Sequence, residues 1–322
     1  MKVFSNPTEL SSTSLGRSLL EWYCIFEDYY CFVCPAKSLL PESWRRENCQ
    51  IRQKLAQTEY QYLSKNEYRE RLLDDIWPQL YSRTPKLSNV AARIPLLKTR
   101  DVIRRSELLD DLRSKLKRFN KDFNEFAQSP DVLELLQATE RPVMSRSNYP
   151  HCCLQRAPRG FTPHHLQYPP AGHLRLVILS IQTYTRSVLY PLVCGEQFEN
   201  NDGGNDAYEL CRTFAGLEHA FGNDQDSLLP CFSFLVVAGF VCPPELRKWL
   251  WHNLAHFEVC GPFSEPIKST LSVYWDMPKL ATESFDKLNS ESANKRLKAV
   301  SLGDLDIASE LAKFKIEEVP RS

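Results

Sequence analysis

Two cysteines, Cys31 and Cys34, stand three residues apart in the stretch YYCFVCP, a spacing that occurs in zinc sites and in redox pairs. A structural zinc site needs four ligands, usually two such pairs, and these cysteines have no matching second pair. A redox pair would be expected at the start of a helix, where the helix dipole stabilises the thiolate. Here the pair lies at the predicted C-terminal end of a helix, where the dipole disfavours a thiolate. The pattern favours core packing, with zinc and redox roles as alternatives.

Two further groups of possible metal ligands lie in a proline-rich stretch at 140–172. HCC spans His151–Cys153, and HH is formed by His164 and His165. Their spacing matches no familiar zinc arrangement. We therefore expect ordinary loop residues here, with a zinc site as the alternative.

A third group, in WHNLAHFEVC, places His252, His256 and Cys260 at intervals of four residues. The glutamate that follows the first histidine of metalloproteases is missing. Lys248 shares the histidines' side of the predicted helix, and a cation beside two neutral imidazoles disfavours a metal ion. We expect surface histidines on a helix whose core face carries Leu246, Trp249, Leu250, Leu254 and Phe257.

One enzyme class has some support in the sequence, a magnesium-dependent helical terpene cyclase. NDGGNDAYE loosely resembles the second metal motif of that class, and DDIWP, with Asp74 and Asp75, half matches its aspartate-rich motif. We expect Gly203 and Gly204 to break the helix, and Pro78 replaces the closing carboxylate. No nucleophile elbow, phosphate-binding glycine loop or dinucleotide fingerprint occurs. We expect no enzyme, no catalytic residue, no metal site and no cofactor.

The composition is that of an ordinary globular protein, with 322 residues, 43% of them hydrophobic and 25% charged. The 40 Lys and Arg residues balance 40 Asp and Glu residues, so the whole chain has no electrostatic attraction to nucleic acid or anionic membranes. Acidic residues flank the basic stretch Arg113–Lys121, which favours a solvated helix face. The first residues lack an apolar run of signal-peptide length. We expect the 11 cysteines to be reduced thiols in an intracellular protein.

The elements that position these residues are predicted to be helices almost throughout, because apolar residues recur at intervals of three and four. In the first half we predict helices over LGRSLLEWYCIFEDYYCFVC, which Pro35 ends, PESWRRENCQIRQKLAQTEYQYL and NEYRERLLDDIWPQLYSR. A bundle helix inside the chain is favoured for the clearest periodic stretch, and a coiled-coil dimer is the alternative. Its apolar seam consists of Val102, Leu109, Leu112, Leu116, Phe119, Phe123 and Phe126.

After the irregular connector 140–172 we predict helices over HLRLVILSIQTYTRSVLYPLVCG, YELCRTFAGLEHAFG, SLLPCFSFLVVAGF and PPELRKWLWHNLAHF, with a turn at NNDGGND. The apolar stretch Leu228–Cys242 is too short for a membrane span of about 20 residues, which favours a buried core helix. The predicted fold is all-α and bundle-like, as one domain or as two packed halves. Its parts are an N-terminal helical half at 1–139, the connector at 140–172, a C-terminal helical half at 173–278, and a polar helix and tail at 279–322.

Several of these stretches resemble the regulatory region of fungal zinc-cluster transcription factors. SLLPCFSFLVVAGFVCPPELRKWLWHNL, followed by STLSVYWDM, is similar to the closing segment of that region, with an alanine-glycine step and spaced tryptophans. HLRLVILSIQTYTRSVLYPLV resembles its preceding helix, and GRSLLEWYCIFEDYYCFVCP and PESWRREN resemble its early helices. The resemblance covers residues 10–278 and rests on helix patterns and aromatic landmarks.

The resemblance implies an all-α regulatory domain that passes effector or partner signals to transcription in the nucleus, for a metabolic or secondary-metabolite gene set. The six-cysteine zinc cluster with which such factors read DNA does not occur in this sequence. We therefore expect action through protein partners, as a homodimer or with a DNA-binding co-regulator, without direct DNA binding and without membrane association. The seam Val102–Phe126 and the helices around Trp249 and Trp275 are the expected core and interface residues. A helical scaffold protein is a further alternative.

Overall fold

The computed structural model describes residues 13–33, 37–56, 64–98, 101–137, 157–195, 203–221, 228, 231–256, 271–272 and 275. Within these ranges the fold is all-α, as predicted, and contains no β-strand. The helices are α1 (Ser14–Val33), α2 (Glu42–Ala56), α3 (Lys65–Tyr81), α4 (Thr84–Ala91), α5 (Val102–Ala127), α6 (Pro130–Gln137), α7 (Pro169–Thr183), α8 (Tyr190–Cys194), α9 (Gly203–Phe221), α10 (Phe232–Val241) and α11 (Pro244–His256). A 3₁₀ turn, Ile94–Lys98, precedes α5, and a π-helical segment, Tyr184–Leu189, joins α7 to α8.

Local sequence signals fix the ends of several helices. At the start of α3, the Ser64 hydroxyl accepts a hydrogen bond from the Glu67 N–H, and the Glu67 carboxylate accepts one from the Ser64 N–H at 2.8 Å. At the start of α5, the Asp101 carboxylate accepts from the Arg104 N–H at 3.1 Å. Gly195 ends α8 in the left-handed region, with a φ of 72°, which glycine adopts without a steric cost.

The long helix α5 confirms the predicted periodic element, and its seam is mostly core. Five seam residues are at most 5% exposed: Leu112, Leu116, Phe119, Phe123 and Phe126. These side chains are buried within the chain itself, which confirms the bundle-helix interpretation for this part of the seam. Val102 is 78% exposed, so the prediction is wrong at the first turn. Every residue from Val102 to Glu107 is exposed, because this end of α5 has little packed against it.

The centre of the protein is formed by α7, α9 and α10, which pack against one another. The predicted core helix in the apolar stretch is confirmed, because Phe234 to Phe240 are all buried along α10. Among the described residues, one helical stretch, Pro169–Cys194, is long and apolar enough to cross a membrane by length and composition alone. In this protein 61% of its most apolar window is buried.

Two predicted helix starts are wrong. Helix α7 begins at Pro169, inside the stretch predicted to be irregular. Proline is tolerated there because the N–H groups of the first helical turn have no partner within the helix, so the missing N–H of proline costs no hydrogen bond. Helix α9 begins at Gly203, so Gly203 and Gly204 lie within the helix and not in a turn. A Cβ atom on Gly203 would lie 3.3 Å from the Val241 side chain. Close packing of α9 against α10 therefore explains why a glycine is tolerated at this position.

Residues Met1–Phe257 form one compact unit, and Glu258–Ser322 form a second. In the first unit, helices from both predicted halves pack together: α3 and α6 contact α7, α5 contacts α8, and α1 contacts α10. In the second unit, the Trp275 N–H donates to the Leu271 carbonyl at 2.9 Å, which is a helical hydrogen bond. The domain boundaries at 139, 172 and 278 stay predictions.

Candidate functional site

A cavity of about 320 Å³ lies between α1, α3, α4, α7 and α10. Its walls are largely apolar and include Ile25, Trp77, Val177, Ile181 and Phe234. Polar groups reach it from four helices, namely Glu21, Asp28, Asp74, Tyr81, Thr84 and His173. An apolar cavity with a few convergent polar groups is the usual form of a small-molecule site in a protein. We therefore regard this cavity as the candidate site.

The acidic side of the cavity is held by Arg45 of α2, whose side chain is fully buried. Its Nη1 atom donates to the Asp28 carboxylate at 2.9 Å, to the Tyr81 carbonyl at 2.9 Å and to the Thr84 hydroxyl at 3.1 Å. Its Nη2 atom donates to the Glu27 carboxylate. We call Arg45, Glu27, Asp28 and Thr84 the Arg45 cluster. One guanidinium thus ties together α1, α2, the end of α3 and the start of α4.

The two carboxylates of the Arg45 cluster are further held by neighbouring donors. Thr84 donates from its hydroxyl to Asp28 at 2.6 Å. Glu27 accepts from the Ser38 hydroxyl at 2.7 Å and from the Leu40 N–H at 2.7 Å, which fixes the connection between α1 and α2. Burial raises the pKa of Asp28 to about 6, although Arg45 and Thr84 oppose this rise.

A second pair of carboxylates also lines the cavity. Glu21 of α1 accepts a hydrogen bond from Arg52 of α2, and Arg52 also lies 3.9 Å from the carboxylate of Asp74. Burial raises the pKa of Glu21 to about 7, Arg52 lowers it, and the charge of Asp74 raises it further. Shifted carboxyl groups of this kind in a cavity are typical of functional sites, and they also occur in structural ion pairs.

Two aromatic rings form the α3 wall of the cavity. Trp77 and Tyr81 stack with their centroids 5.5 Å apart and an angle of 9° between their planes. Tyr81 is only 6% exposed. Within the described part of the chain, the Tyr81 hydroxyl and the Trp77 indole N–H have no hydrogen-bond partner. Because a buried hydroxyl normally has such a partner, this wall has unused hydrogen-bonding capacity.

The structure also shows what the predicted ligand groups do. His164 lies on the irregular segment before α7, with its Nε2 atom 3.0 Å from the Glu209 carboxylate of α9. Arg175 of α7 and Arg212 of α9 donate to the same carboxylate at 3.3 and 3.2 Å. The hydrogen bond with His164 lowers the pKa of Glu209 to about 2, although partial burial opposes this. We call these four residues the Glu209 cluster.

Among the described residues, the carboxylates considered for magnesium binding have separate partners, and Asp202 lies outside the described residues. Glu209 is held in its cluster, and Asp206 accepts a hydrogen bond from the Thr183 hydroxyl at 3.2 Å. Asp74 lies beside Arg52, and its side chain is 57% exposed. In the described ranges, no group of three or more His, Cys, Asp or Glu side chains could hold a metal ion.

Part of the cysteine pattern and some of the other histidines lie outside the residues that the structure describes. Cys31 lies in the last turn of α1, as predicted, whereas Cys34, His151–Cys153 and Cys260 lie outside the described residues. The predicted core face of α11 is confirmed, because Leu246, Trp249, Leu250 and Leu254 are 0% exposed. His252, predicted to be a surface histidine, is half-buried on the same helix, and Phe257, the remaining predicted core residue, lies outside the described residues. Cys24, Cys49, Cys194, Cys211, Cys231 and Cys242 are free thiols.

The basic stretch Arg113–Lys121 forms a largely exposed face of α5, as predicted. Lys115 and Arg93 share the carboxylate of Asp111, and Lys86 lies 3.3 Å from the carboxylate of Asp122. These ion pairs neutralise much of the positive charge in the groove of about 780 Å³ beside α5.

The cavity and the Arg45 cluster were missed from the sequence. A signal for them exists in FEDYY, where Glu27 and Asp28 interrupt the apolar pattern of a helix that must pack. Acidic residues at buried positions need a cation, and PESWRREN supplies two arginines soon afterwards. The sequence does not show which arginine pairs inward, because this depends on how α2 is rotated against α1.

Comparison of the chain with models of known protein families, with curated proteins and with solved structures finds no match. The family resemblance of the sequence is therefore still a prediction.

Proposed function

We propose that this protein is a regulator of transcription of the fungal zinc-cluster factor type, which acts in the nucleus through its helical domain and protein partners. One observation supports this function above all. The stretches that carry the resemblance include α1, the start of α2, α7, α10 and α11, which are far apart in the sequence. In the structure α7 and α10 pack together, α1 contacts α10, and α1, α7 and α10 supply walls of the candidate cavity.

This arrangement gives a physical route for regulation. A ligand shifts a conformational equilibrium only if it binds two packing states with different affinities. Occupancy of the cavity would bear on the packing of α1 against α7 and α10, because all three helices line it. A partner bound to the exposed face of α1, which carries Leu15, Leu19 and Tyr23, would respond to that change. The proposal assigns no catalytic step to this chain.

A tethering experiment tests the proposed function. The full chain is fused to a heterologous DNA-binding domain in a filamentous fungus that carries a reporter with the matching DNA sites. We expect the fusion to be nuclear and to raise or lower reporter transcription several-fold relative to the DNA-binding domain alone.

Two neighbouring arginines provide a test variant and its matched control. Arg45→Leu removes the buried guanidinium and should abolish the reporter effect by destabilising the folded domain, whereas Arg46→Leu removes an exposed one that, among the described residues, pairs with Glu42 on its own helix. Arg46→Leu should keep the effect. A nuclear, folded fusion that leaves reporter transcription unchanged would contradict the proposed function.

A further inference from the structure

The cavity combines an aromatic wall with an excess of carboxylates. Four carboxylates, Glu21, Glu27, Asp28 and Asp74, lie in or beside it, and two arginines, Arg45 and Arg52, pair with them directly. Arg17, on the same helix as Glu21, adds a weaker favourable charge to that carboxylate. Of these four carboxylates, Glu27 and Asp28 are buried, Glu21 is half-buried and Asp74 is 57% exposed, so the cavity has more carboxylates than arginines that pair with them.

Two of these carboxyl groups, those of Glu21 and Asp28, have raised pKa values. Burial is the largest cause of their raised pKa values of about 7 and about 6. Each carboxyl group therefore retains a proton at a pH where an exposed carboxyl group would be ionised. A cation that enters the cavity would take the place of such a proton.

The aromatic wall offers the matching contacts. Trp77 and Tyr81 present stacked rings, and cations bind favourably to the faces of such rings, most strongly where water is excluded. The Tyr81 hydroxyl, which has no partner within the described ranges, can accept a hydrogen bond from an ammonium group. The opposite wall is apolar, with Val177, Ile181 and Phe234, and suits a hydrocarbon body.

We propose that this cavity binds a small organic ammonium ion, with its charged nitrogen beside Glu21, Asp28 and the Tyr81 hydroxyl and its apolar body against α7 and α10. The cavity volume of about 320 Å³ lies at the lower end of the range for small-molecule sites, which limits the ligand to a compact amine. The inference concerns the same cavity as the proposed function. Binding is measured on the purified chain and transcription in the cell, so either result can fail without the other.

The test compares charged and neutral ligands of one shape. Calorimetry and thermal shift are measured with phenethylamine and cyclohexylmethylamine, and with their neutral isosteres 2-phenylethanol and cyclohexylmethanol. We expect at least one amine to bind and to raise the unfolding temperature. Its alcohol lacks the charge and should bind with at least roughly tenfold lower affinity. Equal affinity for amine and alcohol overturns the proposal, and so does the absence of amine binding up to about 5 mM.

Conservative variants separate ligand contacts from structural roles. Tyr81→Phe removes the hydroxyl but keeps the ring and the backbone carbonyl that accepts from Arg45. It should weaken amine binding several-fold and leave the unfolding temperature of the free protein unchanged. Glu42→Gln changes an exposed carboxylate outside the cavity and should leave amine binding unchanged. Unchanged amine affinity in Tyr81→Phe overturns the assigned position of the nitrogen.

The pH dependence gives a second readout. In the wild type, amine affinity should rise between about pH 5.5 and 7.5, because the carboxyl group of Glu21 loses its competing proton. The charged or titratable groups around Glu21 are Arg17 on α1, Arg52 on α2, Asp74 on α3 and, across the cavity, His173 on α7. Glu21→Gln should flatten the rise, whereas an equally steep rise in this variant would overturn the role given to Glu21.

Discussion

The Arg45 cluster and the Glu209 cluster are opposite solutions to the burial of charge. In the first, one fully buried guanidinium serves two carboxylates, and the pKa of Asp28 is raised by burial. In the second, one partly exposed carboxylate has three nitrogen partners, and its pKa is lowered. The Arg45 cluster thus has fewer arginines than carboxylates, whereas the Glu209 cluster has more nitrogen partners than carboxylates. This difference predicts different sensitivity to mutation and opposite responses to pH.

The largest effect is expected from Arg45→Leu. This change leaves Glu27 and Asp28 buried without their cation, and breaking a buried ion pair costs about 3–5 kcal/mol of unfolding free energy. Urea unfolding monitored by circular dichroism measures the loss. The adjacent Arg46→Leu, at a side chain 64% exposed, is the control and should change stability by about 0.5 kcal/mol or less. A similar loss of unfolding free energy in both variants would contradict the expectation that a buried arginine contributes more to stability than an exposed one.

A smaller effect is expected from Glu209→Gln, because the Glu209 cluster is partly solvated. The amide keeps its shape but loses the charge that attracts His164, Arg175 and Arg212. We expect a loss of about 1.5–3 kcal/mol at pH 7, the usual contribution of charge-assisted hydrogen bonds. The comparison is the same urea titration at pH 7, and a loss larger than that of Arg45→Leu would reverse the ranking of the two clusters.

The next prediction tests whether shape or charge holds the segment that carries His164. Gly216→Ala would place a Cβ atom 2.4 Å from the His164 carbonyl oxygen, which belongs to the backbone and cannot move aside cheaply. We expect a cost of about 1–3 kcal/mol in urea unfolding. Gly172→Ala is the control, because its Cβ atom would meet the flexible ends of two leucine side chains, Leu166 at 2.7 Å and Leu217 at 3.1 Å, and no backbone atom within 3.4 Å. Equal costs for both changes would mean that the backbone contact has no special role.

The smallest effect is expected in the pH dependence of stability, which has opposite signs at Glu21, in the cavity beside the Arg45 cluster, and at Glu209. The folded pKa of Glu21 is raised, so its stabilising contribution is present below about pH 4.5 and is lost as the pH rises through about 7. The folded pKa of Glu209 is lowered, so its contribution is present above about pH 4.5 and is lost as the pH falls through about 2. Urea midpoints plotted against pH should change less than in the wild type above about pH 4.5 in Glu21→Gln, and less than in the wild type below about pH 4.5 in Glu209→Gln. Parallel profiles in all three proteins would contradict the assignment.

Regular periodicity explains which parts of the fold could be predicted. The seam of α5 and the core face of α11 repeat every three or four residues, and both are buried as predicted. The error at Val102 arose because periodicity describes one helix and carries no information on how far its neighbours extend. The early start of α9 at Gly203 was missed because glycine costs about 1 kcal/mol in a helix interior, whereas Gly203 is the first residue of α9 and lies close to the Val241 side chain.

The candidate site was less accessible to prediction than the helices. Its carboxylates were visible in the sequence, but their partner Arg45 is 17 residues away from Asp28, and Thr84 is 56 residues away. His164 was predicted to be a loop residue, and its pairing with Glu209 joins positions 45 residues apart. No local pattern encodes such pairings, because they arise only after helices from distant parts of the chain have packed.

The sequence by itself determined the all-α class, several helix bounds and the apolar faces of α5 and α11, since these follow from local propensity, caps and periodicity. The tertiary structure alone decided which charges are buried together and where a cavity remains. The physical reason is that a buried charge is governed by desolvation and by the nearest opposite charge, and both depend on how the helices pack. The same carboxyl group would titrate normally on an exposed helix, yet in this fold burial beside the cavity raises the pKa of Glu21 to about 7.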